Sequence, residues 1–160
     1  MFVVYFFLWT CMLYWIHRIG HRIPFVMYYH LAHHSFINKN LKAGELNSWH
    51  WNNLFLFNDN IKSTIDLWIT EVTPTIVFAL VTDQWWILIL YYIWAAFIQE
   101  PIEHNPNINV PFILSGKRHL IHHKQPTKNY GLFFPIWDRI FGTYKNYETD
   151  YINIKYVDYI

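Results

Sequence analysis

The stretch IDLWITEVTPTIVFALVTDQWWILILYYIWAAFI, residues 65–98, is the longest apolar segment of the chain. A polar pair, Thr82 and Asp83, divides it into two halves, each long enough for a helix. The segment therefore predicts helices over residues 65–81 and 84–99, joined by a tight turn. Two apolar helices with so short a connection are typical of a transmembrane hairpin.

Residues 1–16 form a second apolar segment, which contains no charged side chain. As a helix it would extend about 24 Å, slightly less than the roughly 30 Å hydrocarbon core, so a spanning helix would continue through His17. A cleaved signal peptide is the alternative, but the segment has no basic start and no small-residue cleavage site. We therefore expect about three transmembrane helices.

The composition agrees with a membrane protein and narrows the chemistry. The chain is 54% hydrophobic and only 14% charged, against roughly 25% charged residues in a soluble domain. A net charge of +1 gives no field suited to nucleic acid, so that class of partner is excluded. With 160 residues we expect a single domain over residues 1–160. One cysteine, Cys11, leaves neither a disulfide framework nor a thiolate metal site.

The basic residues predict the orientation in the membrane. All 12 lysines and arginines lie in residues 18–62 or 117–155, and none lies in the hairpin turn. Positive side chains favour the cytoplasmic side, so both regions are expected there. The sequence thus predicts an all-α integral membrane helical bundle with a cytosolic histidine-rich helical cap. The membrane would be the endoplasmic reticulum in a eukaryote or the inner membrane in a bacterium.

Eight of the ten histidines fall into three short motifs, HRIGH, HLAHH and HLIHH. Spacings of three and four residues place side chains on one face of a helix, so each motif presents its imidazoles in one direction. Pro24 suits the start of a helix that carries the second motif, and Pro126 suits the end of one that carries the third. The histidines are His17 and His21; His30, His33 and His34; and His119, His122 and His123.

Histidines at a membrane surface are the alternative, but unrelated roles do not require the same spacing three times. Eight imidazoles exceed the three or four ligands of one zinc ion, which indicates two metal ions. Imidazole by itself does not choose among zinc, copper, iron and nickel. A redox site at a lipid surface without thiolates favours iron.

Four further side chains are candidates near this site. His104 follows the third predicted helix and is expected to be a ligand. His50 lies between two tryptophans, and an interfacial role is as well supported as ligation. Glu100 and Glu103 lie close to His104 in the sequence, where carboxylates serve either as ligands or as hydrogen-bond partners of ligands.

The ordered set HRIGH, HLAHH, EHN and RHLIHH, followed by NYGLFFPIWDRIFGTY at residues 129–144, resembles the fatty acid hydroxylase and sterol desaturase superfamily. The resemblance covers roughly residues 14–144 and implies a cytosol-facing centre of two iron ions, for which zinc can substitute in purified protein. It also implies dioxygen, a lipid such as a sterol or fatty acyl chain that is hydroxylated or desaturated, and electrons from cytochrome b5 or a ferredoxin through a separate reductase. The implied ligands are His17, His21, His30, His33, His34, His104, His119, His122 and His123.

The chain differs from that superfamily in two respects. It begins almost at the helix before the first motif, so it is either a minimal form or a fragment. Glu100 stands where some relatives have a further histidine, which leaves Glu100, His50 or water as the tenth ligand. We call residues 129–144 the terminal motif. Asp138 in this motif is expected either to orient a ligating imidazole or simply to pack. The rival functions are a zinc hydrolase, which would need a motif such as HExxH, and a non-catalytic protein of the same fold.

Overall fold

The structure, a computed structural model, describes residues 1–44, 48–58, 60–108, 110 and 112–146. These residues form helices and connecting loops, and no strand occurs among them. The α-helices are α1 (Phe2–Gly20), α2 (Pro24–Ala43), α3 (Ile61–Leu67), α4 (Thr73–Thr82), α5 (Trp86–Ile93), α6 (Glu100–Glu103), α7 (Lys117–Lys124) and α8 (Ile136–Ile140). A 3-10 turn covers Trp51–Phe55, and π-helical turns cover Trp68–Val72 and Trp94–Gln99.

Among the residues that the structure describes, two helices are long and apolar enough to cross a membrane, Phe2–Gly20 and Ile61–Thr82. The first exceeds the predicted residues 1–16 and includes His17, so it reaches about 28 Å. The second runs continuously through α3, a π turn and α4, and it forms the first arm of the hairpin. The return arm, residues 86–103, is less apolar than these two helices because its last turns carry Gln99, Glu100 and Glu103. The all-helical prediction is confirmed, with two candidate spans rather than three.

The hairpin turns where the sequence predicted. Thr82 ends α4, and Asp83 adopts a left-handed conformation with φ 55°. A short polar side chain tolerates that conformation better than a bulky one. The Asp83 carboxylate also accepts a hydrogen bond from the Trp85 indole at 2.7 Å.

The core lies between α1 and the two arms of the hairpin. Trp9 and Leu13 of α1 pack against the first arm and the return arm, and the shared core comprises Trp9, Leu13, Leu67, Val72, Ile87, Tyr91, Ala95 and Phe133. The Trp9 indole donates to Thr75 Oγ1 at 3.0 Å, so this buried polar atom is satisfied. Large apolar side chains such as Leu8 and Ile89 remain exposed, as expected of surfaces that face lipid.

The two π turns face each other across the hairpin. Glu71, in the first turn, accepts hydrogen bonds from the Tyr91 hydroxyl at 3.1 Å and from the Gln99 amide, in the second turn, at 3.3 Å. π turns interrupt regular helices most often at functional sites. These contacts place a carboxyl group inside the helical bundle, close to the histidine-rich region described below.

The remaining helices bring the histidine motifs together. α2 begins at Pro24, as predicted, and packs against α3. α7 carries the third motif and ends before Pro126, also as predicted. Gly116 precedes α7 with φ +57°, and a Cβ there would lie 2.2 Å from the carbonyl oxygen of Ile108. A side chain does not fit at this position, so glycine allows the loop before α7 to close.

Candidate metal centre

The histidine motifs and His104 converge from α1, α2, α7 and the end of α6. Within each of two groups the possible ligand atoms lie within 4.8 Å of one another. The first group comprises His17, His21, His30 and His122, and the second comprises His33, His104, His119 and His123. Residues far apart in sequence thus form two four-histidine sets.

His34 lies at the boundary between the two groups. Its Nε2 is 2.9 Å from Nε2 of His30 in the first group. Its ring stacks on His123 of the second group, with centroids 4.1 Å apart. All nine histidines that the sequence proposed as ligands are therefore brought into one cluster.

Backbone carbonyls fix the orientation of two imidazoles in the first group. Nδ1 of His17 lies 2.8 Å from the carbonyl oxygen of Tyr130. Nδ1 of His122 lies 2.8 Å from the carbonyl oxygen of Lys128. A carbonyl only accepts hydrogen bonds, so each Nδ1 carries the proton and each neutral ring keeps a lone pair on Nε2.

Asp66 fixes a third imidazole of the first group. His30 Nδ1 donates to Asp66 Oδ2 at 2.9 Å, and both side chains are buried. The Nε2 lone pair of His30 then points toward that of His17, 3.1 Å away. Lone pairs at this distance repel each other unless a cation lies between them.

The separations fit ligands of one ion. Nitrogens about 2.1 Å from a metal lie about 3.0 Å apart at a right angle and about 3.4 Å apart at a tetrahedral angle. His21 Nε2 is 3.3 Å from Nε2 of His17 and 3.2 Å from that of His122. Burial lowers the pKa of His21 to about 4, which keeps the ring in the neutral form that binds metal.

The second group is more deeply buried and less well hydrogen-bonded. Nε2 of His119 lies 3.0 Å from Nε2 of His123. The Nδ1 atoms of both rings, and both ring nitrogens of His104, are buried without a hydrogen-bond partner among the described residues. Leaving these nitrogens unpaired is costly, and a metal ion would satisfy one of the two nitrogens of His104.

The electrostatics of the second group agree with neutral ligands. Burial lowers the pKa of His33 to about 4 and lowers the pKa of His104, His119 and His123 well below the ordinary value of a histidine. Neighbouring imidazoles lower these pKa values further because each would repel a second positive charge. A set of neutral rings in a closed space is suited to a cation.

The terminal motif orients a histidine of the cluster through a backbone carbonyl. Asp138 is fully buried and accepts hydrogen bonds from the Tyr130 amide at 2.7 Å, the Gly131 amide at 2.8 Å and the Thr143 hydroxyl at 2.7 Å. Among the described residues no hydrogen bond joins Asp138 to an imidazole, so of the two expectations for Asp138, direct orientation of a ring is not observed. Its contacts instead hold the Tyr130 peptide, whose carbonyl oxygen binds His17.

Asn129 completes this arrangement. It is fully buried, with φ 53°, and its amide donates to the carbonyl oxygens of Arg118 and Lys145 at 3.0 Å each. Its side-chain oxygen accepts from the Lys145 amide at 2.8 Å. The residues on either side, Lys128 and Tyr130, supply the carbonyls that orient two imidazoles. Sequence reasoning missed this role, although an asparagine at the head of the motif is suited to a left-handed position.

The other candidates occupy different positions. His50 is exposed, lies 3.3 Å from Ser48 Oγ and belongs to neither group. Glu103 Oε1 is 3.5 Å from His119 Nδ1, and Glu100 is buried beside the centre. Asp66 was missed because it lies within an apolar segment, although an acid at that position is itself a signal of function.

A small polar cavity adjoins the imidazoles. It has a volume of about 40 Å³ and lies between His17, His30 and His119 on one side and Glu71 and Gln99 on the other. Such a volume holds roughly three water molecules, far less than a lipid. Two larger apolar pockets, of about 200 and 320 Å³, share Phe6 and Phe134.

Comparison with known proteins agrees with this geometry. Over 58 residues, the chain is 41% identical to lathosterol oxidase of Homo sapiens and 36% identical to lathosterol oxidase of both Rattus norvegicus and Mus musculus. Each match covers 36% of this chain and only 19% of the relative. No solved structure shows a significant match.

The family comparison covers far more of the chain. The model of the fatty acid hydroxylase family matches residues 2–143. That range includes all nine clustered histidines, together with Asp66, Asn129 and Asp138. The arrangement of the site and the extent of the match lead to one conclusion, that this chain belongs to the fatty acid hydroxylase family.

Proposed function

We propose that this protein is a membrane-bound dimetal oxygenase, in which two iron ions use dioxygen and external electrons to hydroxylate or desaturate a lipid. The observation that carries the proposal is the pair of four-histidine groups, with ligand atoms within 4.8 Å in each. Family membership supports the same chemistry. Zinc is expected to occupy the same ligands in purified protein, since imidazole binds both metals.

The nine histidines are proposed as the ligands. His17, His21, His30 and His122 would hold one ion, and His33, His104, His119 and His123 the other. His34 would bind at the boundary between them, because its Nε2 is close to that of His30. Asp66 and the carbonyls of Lys128 and Tyr130 would hold the rings in the tautomer that binds metal.

The two irons, when bound, would supply the reduction of dioxygen and the abstraction of hydrogen from carbon. The protein's own contribution is positional. Neutral imidazoles would add no negative charge at the ions, so the site would stay more positive than one built from carboxylate ligands. The buried surroundings exclude bulk water, and the small polar cavity limits what can approach the imidazoles from that side.

The lipid is proposed to lie in the apolar pockets. The segment Gly131 to Phe134 joins the two regions: Gly131 and Leu132 line the polar cavity, Phe134 lines both apolar pockets, and Phe133 lines the pocket of about 200 Å³. The pockets present almost only apolar atoms, which suits a sterol ring system or an acyl chain. Only the residues of this short segment would then lie between a reacting carbon of the lipid and the polar cavity beside the imidazoles.

Orientation and electron supply belong to the same proposal. The basic residues flanking the histidine motifs favour a cytosol-facing centre, in the endoplasmic reticulum or a bacterial inner membrane. Electrons would come from cytochrome b5 or a ferredoxin with its reductase. The relatives named lathosterol oxidase make a sterol a reasonable first substrate to test, alongside fatty acyl lipids.

Lipid mass spectrometry tests the proposal. Cells producing the chain, with an electron donor and its reductase, are compared with cells producing the His33→Ala/His122→Ala double variant. We expect a lipid that gains one oxygen or loses two hydrogens only with the unaltered chain. Hydrolysed lipids in a zinc-loaded preparation would support the rival hydrolase instead. No lipid change in either preparation, despite full iron loading, would support a non-catalytic protein.

A further inference from the structure

We infer that the two histidine groups form unequal metal sites, and that the first group binds its ion before the second. The inference rests on the proposed dimetal centre. It concerns the order in which the two groups bind metal ions and their relative affinities for those ions. It follows from the hydrogen bonds made by the ring nitrogens that face away from each candidate ion.

The first group is already organised for binding. Three of its imidazoles have Nδ1 held, His17 by a carbonyl at 2.8 Å, His122 by a carbonyl at 2.8 Å and His30 by Asp66 at 2.9 Å. Each of these contacts fixes both the tautomer and the ring plane. Little rotational freedom remains to be lost when an ion binds, so the cost of binding is small.

The acceptors in the first group are themselves rigid. The Lys128 and Tyr130 carbonyls flank Asn129, whose side chain makes three hydrogen bonds to backbone atoms. The Tyr130 peptide is also held by Asp138 at 2.7 Å. The orientation of these rings is therefore set by the fold and does not depend on a bound ion.

The second group lacks such support. Nδ1 of His119 and of His123, and both nitrogens of His104, have no hydrogen-bond partner among the described residues. Glu103 Oε1 lies 3.5 Å from Nδ1 of His119, at the outer limit of a hydrogen bond. Rings and tautomers in this group must be fixed when the ion binds, and that ordering lowers the affinity.

The expected difference in metal affinity between the two groups follows from the effect of hydrogen-bond partners on ligating histidines. Removing one partner of a ligating histidine reduces metal affinity by about 10- to 100-fold. In the first group three of the four imidazoles are held and Nδ1 of His21 lacks a partner, whereas in the second group Nδ1 of His119 and of His123 and both nitrogens of His104 lack one among the described residues. We therefore expect the two dissociation constants to differ by at least about 10-fold, enough to resolve two steps in a titration.

The test uses the full chain, purified in detergent micelles and stripped of metal, with Co²⁺ as the probe. Binding is followed by visible absorption in competition with a chelator of known affinity. We expect two equivalents in two steps separated by at least about 10-fold. Two equivalents of equal affinity would overturn the inequality and leave the dimetal centre intact. A single equivalent in folded protein would overturn the dimetal centre itself.

Matched variants assign the steps. His122→Ala should remove the tight step and leave a weaker one, whereas His123→Ala should remove the weak step and leave the tight one. The reverse pattern would overturn the assignment. Asp66→Ala and Glu103→Ala provide a second pair, outside the proposed ligands, if the histidine variants do not fold. Asp66→Ala removes the acceptor of His30 Nδ1 and should weaken only the first step, by about 10-fold or more, and a weakening confined to the second step would contradict the inference.

Discussion

Asp66 Oδ2 accepts a hydrogen bond from His30 Nδ1 across 2.9 Å, and this contact joins the first arm of the membrane hairpin to the histidine cluster. The two residues are 36 positions apart in the sequence. Both are buried, and the second oxygen of Asp66 has no partner among the described residues. The hairpin therefore supports the site chemically as well as by packing.

Replacing Asp66 should reveal this support in the metal-free protein. Asp66→Ala leaves the Nδ1 proton of His30 buried and unpaired, which costs about 1–3 kcal/mol of folding free energy. Asp66→Asn keeps an acceptor oxygen and should recover much of that loss. Thermal unfolding in detergent measures both variants. Equal melting temperatures for the two would show that the hydrogen bond to His30 is not the reason Asp66 matters.

Asn129 offers a test of the terminal motif. Asn129→Ala loses three hydrogen bonds, worth about 1 kcal/mol each, and strains a left-handed residue by about 1–2 kcal/mol. Asn129→Gly loses the same hydrogen bonds without the strain. We expect metal affinity to fall in both variants, since the neighbouring carbonyls hold His17 and His122, and stability to fall more in the alanine variant. Unchanged metal affinity in both would separate the motif from the metal centre.

The histidines should divide into two classes on replacement. His33→Ala and His122→Ala are expected to abolish lipid oxidation and to reduce bound iron, because each removes a proposed ligand from one group. His50→Ala is the matched control, since His50 is exposed and outside both groups. It should retain most metal and activity. Metal content and lipid product are measured together, and normal values for the first two variants would refute the ligand assignment.

The membrane orientation can be tested with two exposed positions in a Cys11→Ser background. Asp83→Cys marks the hairpin turn, and Thr127→Cys marks the segment after α7. A membrane-impermeant thiol reagent applied to sealed vesicles should label only one of them, because the charge pattern places them on opposite sides. Labelling of both from the same side would indicate that the hairpin does not cross the bilayer.

Acid should destabilise the metal-free protein. The pKa of His33 is lowered to about 4 by burial, whereas an unfolded histidine titrates near about 6.5. Between these values the unfolded chain binds a proton that the folded chain does not, so stability falls as pH falls through this window. The effect is at most about 1.4 kcal/mol per pH unit for one such ring. Melting temperatures from pH 7 to pH 5 measure it, and His33→Gln should flatten the curve.

The same protons compete with metal. Ligation requires a neutral imidazole, so bound metal is expected to decrease in acid. For a free histidine this loss begins below about pH 6.5, but burial of His21 and His33 should delay it toward lower pH. Iron content after equilibration at a series of pH values measures the midpoint. A midpoint above pH 6.5 would contradict the buried environment of these rings.

Much of the fold could be predicted because its signals are local. The hairpin turn at Asp83, the helix start at Pro24 and the end of α7 before Pro126 follow from residue chemistry within a few positions. The nine clustered histidines follow from helical spacing and from a resemblance to a known family. The helix α1 continues beyond the apolar residues 1–16 through His17, as expected of a spanning helix, and ends at Gly20.

What the sequence by itself determined is the class of protein and the set of histidines proposed as metal ligands, because helical periodicity and hydropathy depend on neighbours in the chain. Only the tertiary structure decided which histidines share a group, that Asp66 holds His30, and that Asp138 acts on a peptide and not on an imidazole. These relationships join residues as much as 113 positions apart, as His17 and Tyr130 are. A hydrogen bond depends on the distance and direction between two atoms in space, and no local pattern encodes that for distant residues.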